Sequence, residues 1–215
     1  MGEDAEDSYS TYLSENYDDL ARENEWYGNE LCFGLMYEFV EPGQALLDMG
    51  IGPGIGSKLY KMAGMTIHGL DIREDMLAEC KRRGVADVLK RHDLNERLPY
   101  DDRTFDHVIS IGVFHFFEKL DHLISEAFRV LRSGGKLSFT VGYAGPGVSD
   151  PRPRVVTGHT IHDHPDAYVL RLAGEQGLVE LKRARFSGYA DGARTVLHTS
   201  RVFVFGKPAH DHHCR

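Results

Sequence analysis

Residues Leu46–Ser57 read LLDMGIGPGIGS, a short apolar run closed by the carboxylate Asp48 and followed by Gly50, Gly52 and Gly54. The apolar run is strand-like. The text after Ser57 (Lys58–Ala63) takes on a helical rhythm, so the glycines sit at a strand-to-helix turn. Glycines there let the chain turn tightly and let a ligand approach the backbone closely. The helix start nearby offers N–H groups that have no partner inside the helix. The dinucleotide fingerprint G-x-G-x-x-G does not fit in full: counting from Gly50 puts Ile55 at the last glycine, and counting from Gly52 puts Ser57 there.

Downstream, strands and helices alternate. Thr66–Ile72 reads as a strand, Glu74–Arg83 as a helix closed by Gly84, and Asp87–Arg91 as a strand ending at His92-Asp93. Phe105–Ile111 is a fourth strand, Asp121–Leu131 a helix stopped by Ser133-Gly134-Gly135, and Lys136–Val141 a fifth strand. This alternation predicts a parallel sheet with helices on both faces. Residues 142–160, with three prolines and four glycines, read as a long loop. A helix over Pro165–Gln176 and two strands, Leu178–Tyr189 and Thr195–Phe205, joined through Ala190-Asp191-Gly192-Ala193, complete the domain.

The motif Asp48–Gly54, D-x-G-x-G-x-G, resembles motif I of the class I S-adenosylmethionine-dependent methyltransferases, and the small-molecule, type 11-like members in particular. Asp71 in HGLDI, Asp93 in RHDLNERLPYDDRTFD, the fourth-strand text FDHVISIGVFHF and the block EAFRVLRSGGKLSFTV follow the order of that family. The likeness covers about half the chain, Ala45–Val141. It implies a three-layer αβα sandwich of Rossmann-like α/β class, with a mostly parallel seven-stranded sheet whose last strand is antiparallel, plus an N-terminal helical cap. It also implies S-adenosyl-L-methionine as cofactor and S-adenosyl-L-homocysteine as product. In such a site Gly50, Gly52 and Gly54 would form the loop, and Asp71 would accept the ribose hydroxyls. Asp93 would accept from the adenine amino group, with the Leu94 N–H on a ring nitrogen. Ile72 and Met76 would sandwich the adenine. Asp48 would shape the loop or face the ammonium end of the methionine, and Ser110 and Tyr17 would border the donor.

The family likeness identifies a donor and leaves the acceptor open. His115, among Phe114, Phe116 and Phe117 after the fourth strand, is the candidate for acid–base or orienting work, or else a core-edge histidine with a backbone partner. His159, His162 and His164 read as a solvated helix start, as contacts to the acceptor, or as metal ligands at an unconvincing spacing; no metal site is expected. Arg152 and Arg154 in DPRPR would be solvated or would meet an acceptor carboxylate.

Composition narrows the partners. Of the 215 residues, 41% are hydrophobic and 27% charged, an ordinary globular balance. The net charge is −8, yet residues 1–31 hold ten acids and one base, a net of −9, so the remainder is near neutral at +1. An acidic appendage on a neutral body disfavours nucleic acid. No apolar run is long enough to span a bilayer, and no signal pattern opens the chain. Three scattered cysteines, Cys32, Cys80 and Cys214, fit a reducing, cytoplasmic setting. The expected organisation is a disordered acidic start (1–8), a helical cap or lid carrying Tyr9, Tyr12, Tyr17, Trp26 and Tyr27 (9–42), the cofactor-binding domain (43–206) and a flexible tail (207–215). The expected function is methyl transfer to a small-molecule acceptor. The alternatives are a protein or peptide methyltransferase on the same fold, a nucleotide-binding oxidoreductase, or a non-catalytic cofactor-binding subunit.

Overall fold

In the run ALLDM, neighbouring apolar residues must be covered on both faces at once, the requirement of a central parallel strand. The computed structural model meets it. The structure describes residues 25–156, 159–189 and 197–209, together with Asp19 and Glu23. Strand β1 (Ala45–Met49) lies between β2 (Thr66–Asp71) and β4 (Phe105–Ser110), parallel to both, and β3 (Val88–Arg91) flanks β2. Beyond β4 comes β5 (Leu131–Tyr143), then the antiparallel β9 (Leu197–Gly206) and the edge strand β8 (Val179–Tyr189). The order β3-β2-β1-β4-β5-β9-β8 is the expected seven-stranded body with β9 antiparallel.

Because successive side chains of a strand point to opposite faces, Leu46 and Leu47 enter separate cores. Leu46 packs with Met36 of helix α1 (Gly28–Met36), Tyr60 of α2 (Lys58–Met62) and Cys80 of α3 (Glu74–Arg83). Leu47 packs with Leu123 and Ile124 of α4 (Asp121–Val130) and Val169 and Leu172 of α5 (Asp166–Glu175). Helix α3 has Glu74 and Asp75 in its first turn and Lys81, Arg82 and Arg83 in its last, both favourable to the helix dipole.

Three expectations are corrected. Residues 142–160 are not one long loop: Arg152–Val156 (β6) and His159–His164 (β7) form an antiparallel hairpin. Gly142 of β5 pairs with Asp163 on one side and Ser200 on the other, so β7 continues the β4 side of β5 past the point where β4 ends. The hairpin escaped the reading because β6 is a half-exposed edge strand with Pro153 inside it, where a missing N–H is tolerated. His159, His162 and His164 therefore lie on a strand and not at a helix start.

The second correction concerns the cap. Residues 28–39 belong to the body, with Cys32 and Met36 fully buried; the earlier part of the expected cap, Tyr17 included, lies outside the described residues apart from Asp19 and Glu23. The third concerns the tail, whose first residue is anchored. Lys207 Nζ donates to the carbonyls of Phe128 (2.7 Å) and Leu131 (2.8 Å), and its backbone pairs with Gly134 and Gly135. The start and end segments 1–8 and 210–215 and the 190–193 turn are also outside the described residues.

His107, in the middle of β4, is buried with Nε2–H donating to Phe39 O and Gln44 Oε1, both at 2.9 Å. Burial pushes its pKa down from 6.5 to about 4. Between those values the unfolded chain binds a proton that the folded chain refuses, so stability falls as pH drops through this window and levels off below it. The expected loss from this ring is about 2 kcal/mol between pH 7 and pH 5. Urea midpoints of the wild type and His107→Gln, measured at both pH values, check it; equal pH dependence in the two proteins would remove His107 as the cause.

Candidate active site

The glycine turn closes the carboxyl end of β1, and Gly50, Gly52 and Gly54 all have positive φ. Each is glycine for a different reason. A Cβ on Gly50 would stand 2.5 Å from Val113 Cγ2, and one on Gly54 would stand 2.9 Å from Cys80 Sγ. A Cβ on Gly52 would meet nothing within 4 Å, because Gly52 borders a cavity of about 690 Å³.

This cavity lies outside the carboxyl ends of β1, β2 and β4, where ligands bind in open α/β sheets. Of the expected residues, Gly50, Gly52, Asp71, Ile72, Met76, Asp93 and Leu94 line it. Asp71 ends β2. Its Oδ2 accepts the Gly52 N–H (2.8 Å) and its Oδ1 the Arg73 N–H (2.9 Å), so loop and carboxylate are locked together. An ionised carboxylate has about four lone-pair sites, so acceptor capacity remains for a ligand. Asp93 is held by the N–H and side-chain amide of Asn95, each 2.9 Å from Oδ1. Ile72 is 55% exposed, an apolar platform on the cavity wall.

Four expected residues do not line the cavity. Asp48 is buried beneath the loop, where Oδ2 accepts from Ser57 Oγ at 2.7 Å. Burial raises its pKa to about 7, partly offset by that hydroxyl, and it shapes the loop from below. Gly54 packs against Cys80 and Val85, away from the cavity. Ser110 is buried and donates to Met49 O at 2.7 Å, tying β4 to β1. His115 lies on a short 3-10 turn, Phe114–Phe116, with its ring 4.3 Å from the Phe116 ring; Phe116 lines the cavity and His115 does not. Burial, with His198, His164 and Arg154 nearby, lowers the His115 pKa to about 3. That is far from the range in which a general base works well at neutral pH.

Other wall residues were not among the assigned cofactor contacts. Trp26, named above only as a lid aromatic, lines the cavity and meets Phe186 edge-on at 5.5 Å. Asn29 joins it from the helix that follows, and Val113, Phe116 and Phe117 from the turn after β4. Nothing in their local spacing distinguishes them from core or surface residues.

A methyltransferase-domain family model matches residues 47–139. The malonyl-[acyl-carrier protein] O-methyltransferase of Methylococcus capsulatus is 34% identical over 185 residues, 84% of this chain and 65% of that protein. Residues 47–139 are thus a methyltransferase domain, similar to those of the class I S-adenosylmethionine-dependent enzymes. The fatty-acid O-methyltransferase of Mycolicibacterium smegmatis is 31% identical over 52% of this chain and 39% of its own length. The chain thus spans less than two thirds of the curated relatives it matches. Among solved structures, a methyltransferase in complex with the Trm112 activator from Haloferax volcanii superposes with a TM-score of 0.70 at 19% identity, covering 93% of this chain and 97% of that one.

The cofactor of this class is S-adenosylmethionine, and the residues present fit it. Gly52 leaves open space where any other residue would place a side chain. His92, on the wall, has a buried Nε2 with no hydrogen-bond partner among the described residues. Among those residues no group of His, Cys, Asp and Glu is arranged to hold a metal ion, and no helix is long and apolar enough to cross a membrane.

Proposed function

We propose that this protein transfers the methyl group of S-adenosylmethionine to a small-molecule acceptor, chiefly by positioning. The observation that carries this reading is the Asp71 carboxylate, pinned by the Gly52 and Arg73 amides at the rim of a glycine-walled cavity. The cofactor supplies an activated methyl on a sulfonium, so the protein need not activate a leaving group. In our assignment Asp71 accepts the ribose hydroxyls. Asp93 and the Leu94 N–H take the polar edge of the adenine, and Ile72 and Met76 take its faces. Trp26, Val113 and Phe116 exclude water on the acceptor side. Alignment of two bound reactants is worth roughly 7–11 kcal/mol of barrier, enough for much of the catalysis. His115 fits an orienting role better than proton abstraction, because its pKa is depressed. Both curated relatives named above are O-methyltransferases by name, which supports an oxygen-bearing acceptor.

Calorimetric titration with S-adenosylhomocysteine, with NADH as comparison ligand, tests the donor. Micromolar binding of the first and none of the second is expected; the reverse would overturn the reading. Asp71→Ala should weaken S-adenosylhomocysteine by about 1.5–3 kcal/mol, the scale of lost hydrogen bonds to a charged acceptor, or roughly 10- to 100-fold. Unchanged affinity would refute the ribose assignment.

A further inference from the structure

Next to Phe116, the β6–β7 hairpin brings Arg154 and Asp163 against His198 of β9, whose ring lies 6.3 Å from that of His115. The Arg154 guanidinium bridges to Asp163, with Nε 3.1 Å from Oδ2 and Nη2 3.2 Å from Oδ1, and Nη2 also contacts His198 Nδ1. Arginine has no acceptor atom and stays charged. His198 Nδ1 must therefore be the accepting nitrogen of a neutral ring, and its one ring proton sits on Nε2.

Counting donors and acceptors gives an imbalance. The two oxygens of Asp163 and the one acceptor nitrogen of His198 all face Arg154. Against that, Arg154 Nη1 retains two N–H groups and His198 its Nε2–H. His115, whose ring makes no hydrogen bond among the described residues, adds one N–H and one acceptor nitrogen. Four uncommitted N–H groups, two of them on Arg154 Nη1, against one free ring nitrogen and the remaining lone pairs of Asp163 leave a surplus of donors that suits an oxyanion such as a carboxylate. The corner remains reachable, since the Arg154 side chain keeps 29% of its surface exposed. Phe116, itself 54% exposed, packs on the His115 ring and gives the corner an apolar flank.

We infer that the Arg154–His198 corner anchors a carboxylate of the acceptor, so that the acceptor is a molecule with an apolar middle, an anchored carboxylate at one end and the methylated atom at the other. The two ends are distinct because Phe116 borders the cofactor cavity while Arg154, His198 and His115 do not. This inference rests on the methyltransferase reading above and narrows its acceptor. Arg154 and His198 are binding residues here, and Asp163 is a positioning residue that holds the guanidinium.

The test uses the full chain saturated with S-adenosylhomocysteine, titrated in a calorimeter with phenylacetate and hexanoate and, separately, with their primary amides, which match the acids in shape and lack the charge. The acids should bind at least tenfold more tightly than the amides. Arg154→Gln should erase that preference while the cofactor product still binds as in the wild type, and Arg154→Lys, which keeps charge without the planar fork, should restore only part of it. A second readout does not depend on those variants folding well: nitrogen NMR of the histidine rings should show His198 with Nδ1 unprotonated, and addition of phenylacetate should shift the His198 and His115 signals. Failure of S-adenosylhomocysteine to bind would sink the donor reading itself. Normal product binding with acids no tighter than amides, or with neither histidine signal moving, would overturn the carboxylate anchor alone.

Discussion

Gly52→Val should abolish detectable S-adenosylhomocysteine binding, a loss of at least about 1000-fold or roughly 4 kcal/mol, and leave the protein folded. The reason is directional. At φ +53 a Cβ on this residue projects into open space, and that space is the cavity wall beside Asp71. A branched side chain there would occupy the position the ligand needs. It would also sit in a backbone region that β-branched residues avoid, at a cost of about 1–2 kcal/mol. That cost should lower the melting temperature by roughly 2–8 °C. Gly50→Ala and Gly54→Ala make the contrast, because their new methyl groups would run into Val113 and into Cys80 and Val85. Those two variants should lose stability first and binding as a consequence. Normal binding by Gly52→Val would mean that the loop does not approach the ligand.

Arg129→Met should destabilise the fold by about 3 kcal/mol, the scale for removing one partner of a mostly buried ion pair. Arg129 of α4 pairs with Glu126 through Nε (2.8 Å) and Nη2 (2.7 Å), and Nη1 donates to Tyr100 O (2.8 Å). Glu126 Oε2 in turn accepts the Leu98 N–H at 2.7 Å. Their side chains are only 16% and 11% exposed, so methionine would leave a carboxylate with little access to water. These bonds also hold the connection between β3 and β4, whose first residues are His92, Asp93 and Leu94. Weaker binding of S-adenosylhomocysteine should therefore accompany the lost stability. Asp102, which meets Arg129 from the solvent side and is 67% exposed, is the control. Asp102→Asn should cost less than about 0.5 kcal/mol, since exposed ion pairs contribute little. Urea midpoints read both variants, and a loss under about 1 kcal/mol for Arg129→Met would show that Glu126 is satisfied without it.

How much of this site is legible in the sequence depends on how locally each part is built. The donor half follows from short-range features: a strand, a glycine turn, and an acid at the end of each of the next two strands. Asp71, Ile72, Met76, Asp93 and Leu94 follow from that regularity and line the cavity. Within one motif, however, spacing does not tell which residues face outward. Asp48 and Gly54 belong to the motif and serve the loop from beneath, and Ser110 turns inward to Met49. His115 suffers the same ambiguity: a 3-10 turn presents Phe116 to the cavity and holds the imidazole behind it. The proposed acceptor half draws Trp26, the pair Val113 and Phe116, and Phe186 from three separate segments, and only tertiary packing brings them together. The hairpin was hidden for another reason. Its strands carry arginine, proline and histidine where strands of the body carry valine, leucine and isoleucine.

That hairpin divides the molecule in an inheritable way. It leaves the body where β5 ends at Tyr143 and rejoins it where α5 begins at Asp166. The residues we assign to the donor, from Gly50 to Leu94, lie wholly upstream of it, on other strands and their connections. Insertions, deletions and substitutions between those two points can therefore rewrite the proposed carboxylate anchor while the glycine loop and its acids stay untouched. A lineage built on this plan can change what it methylates without first having to reinvent how it holds the methyl donor.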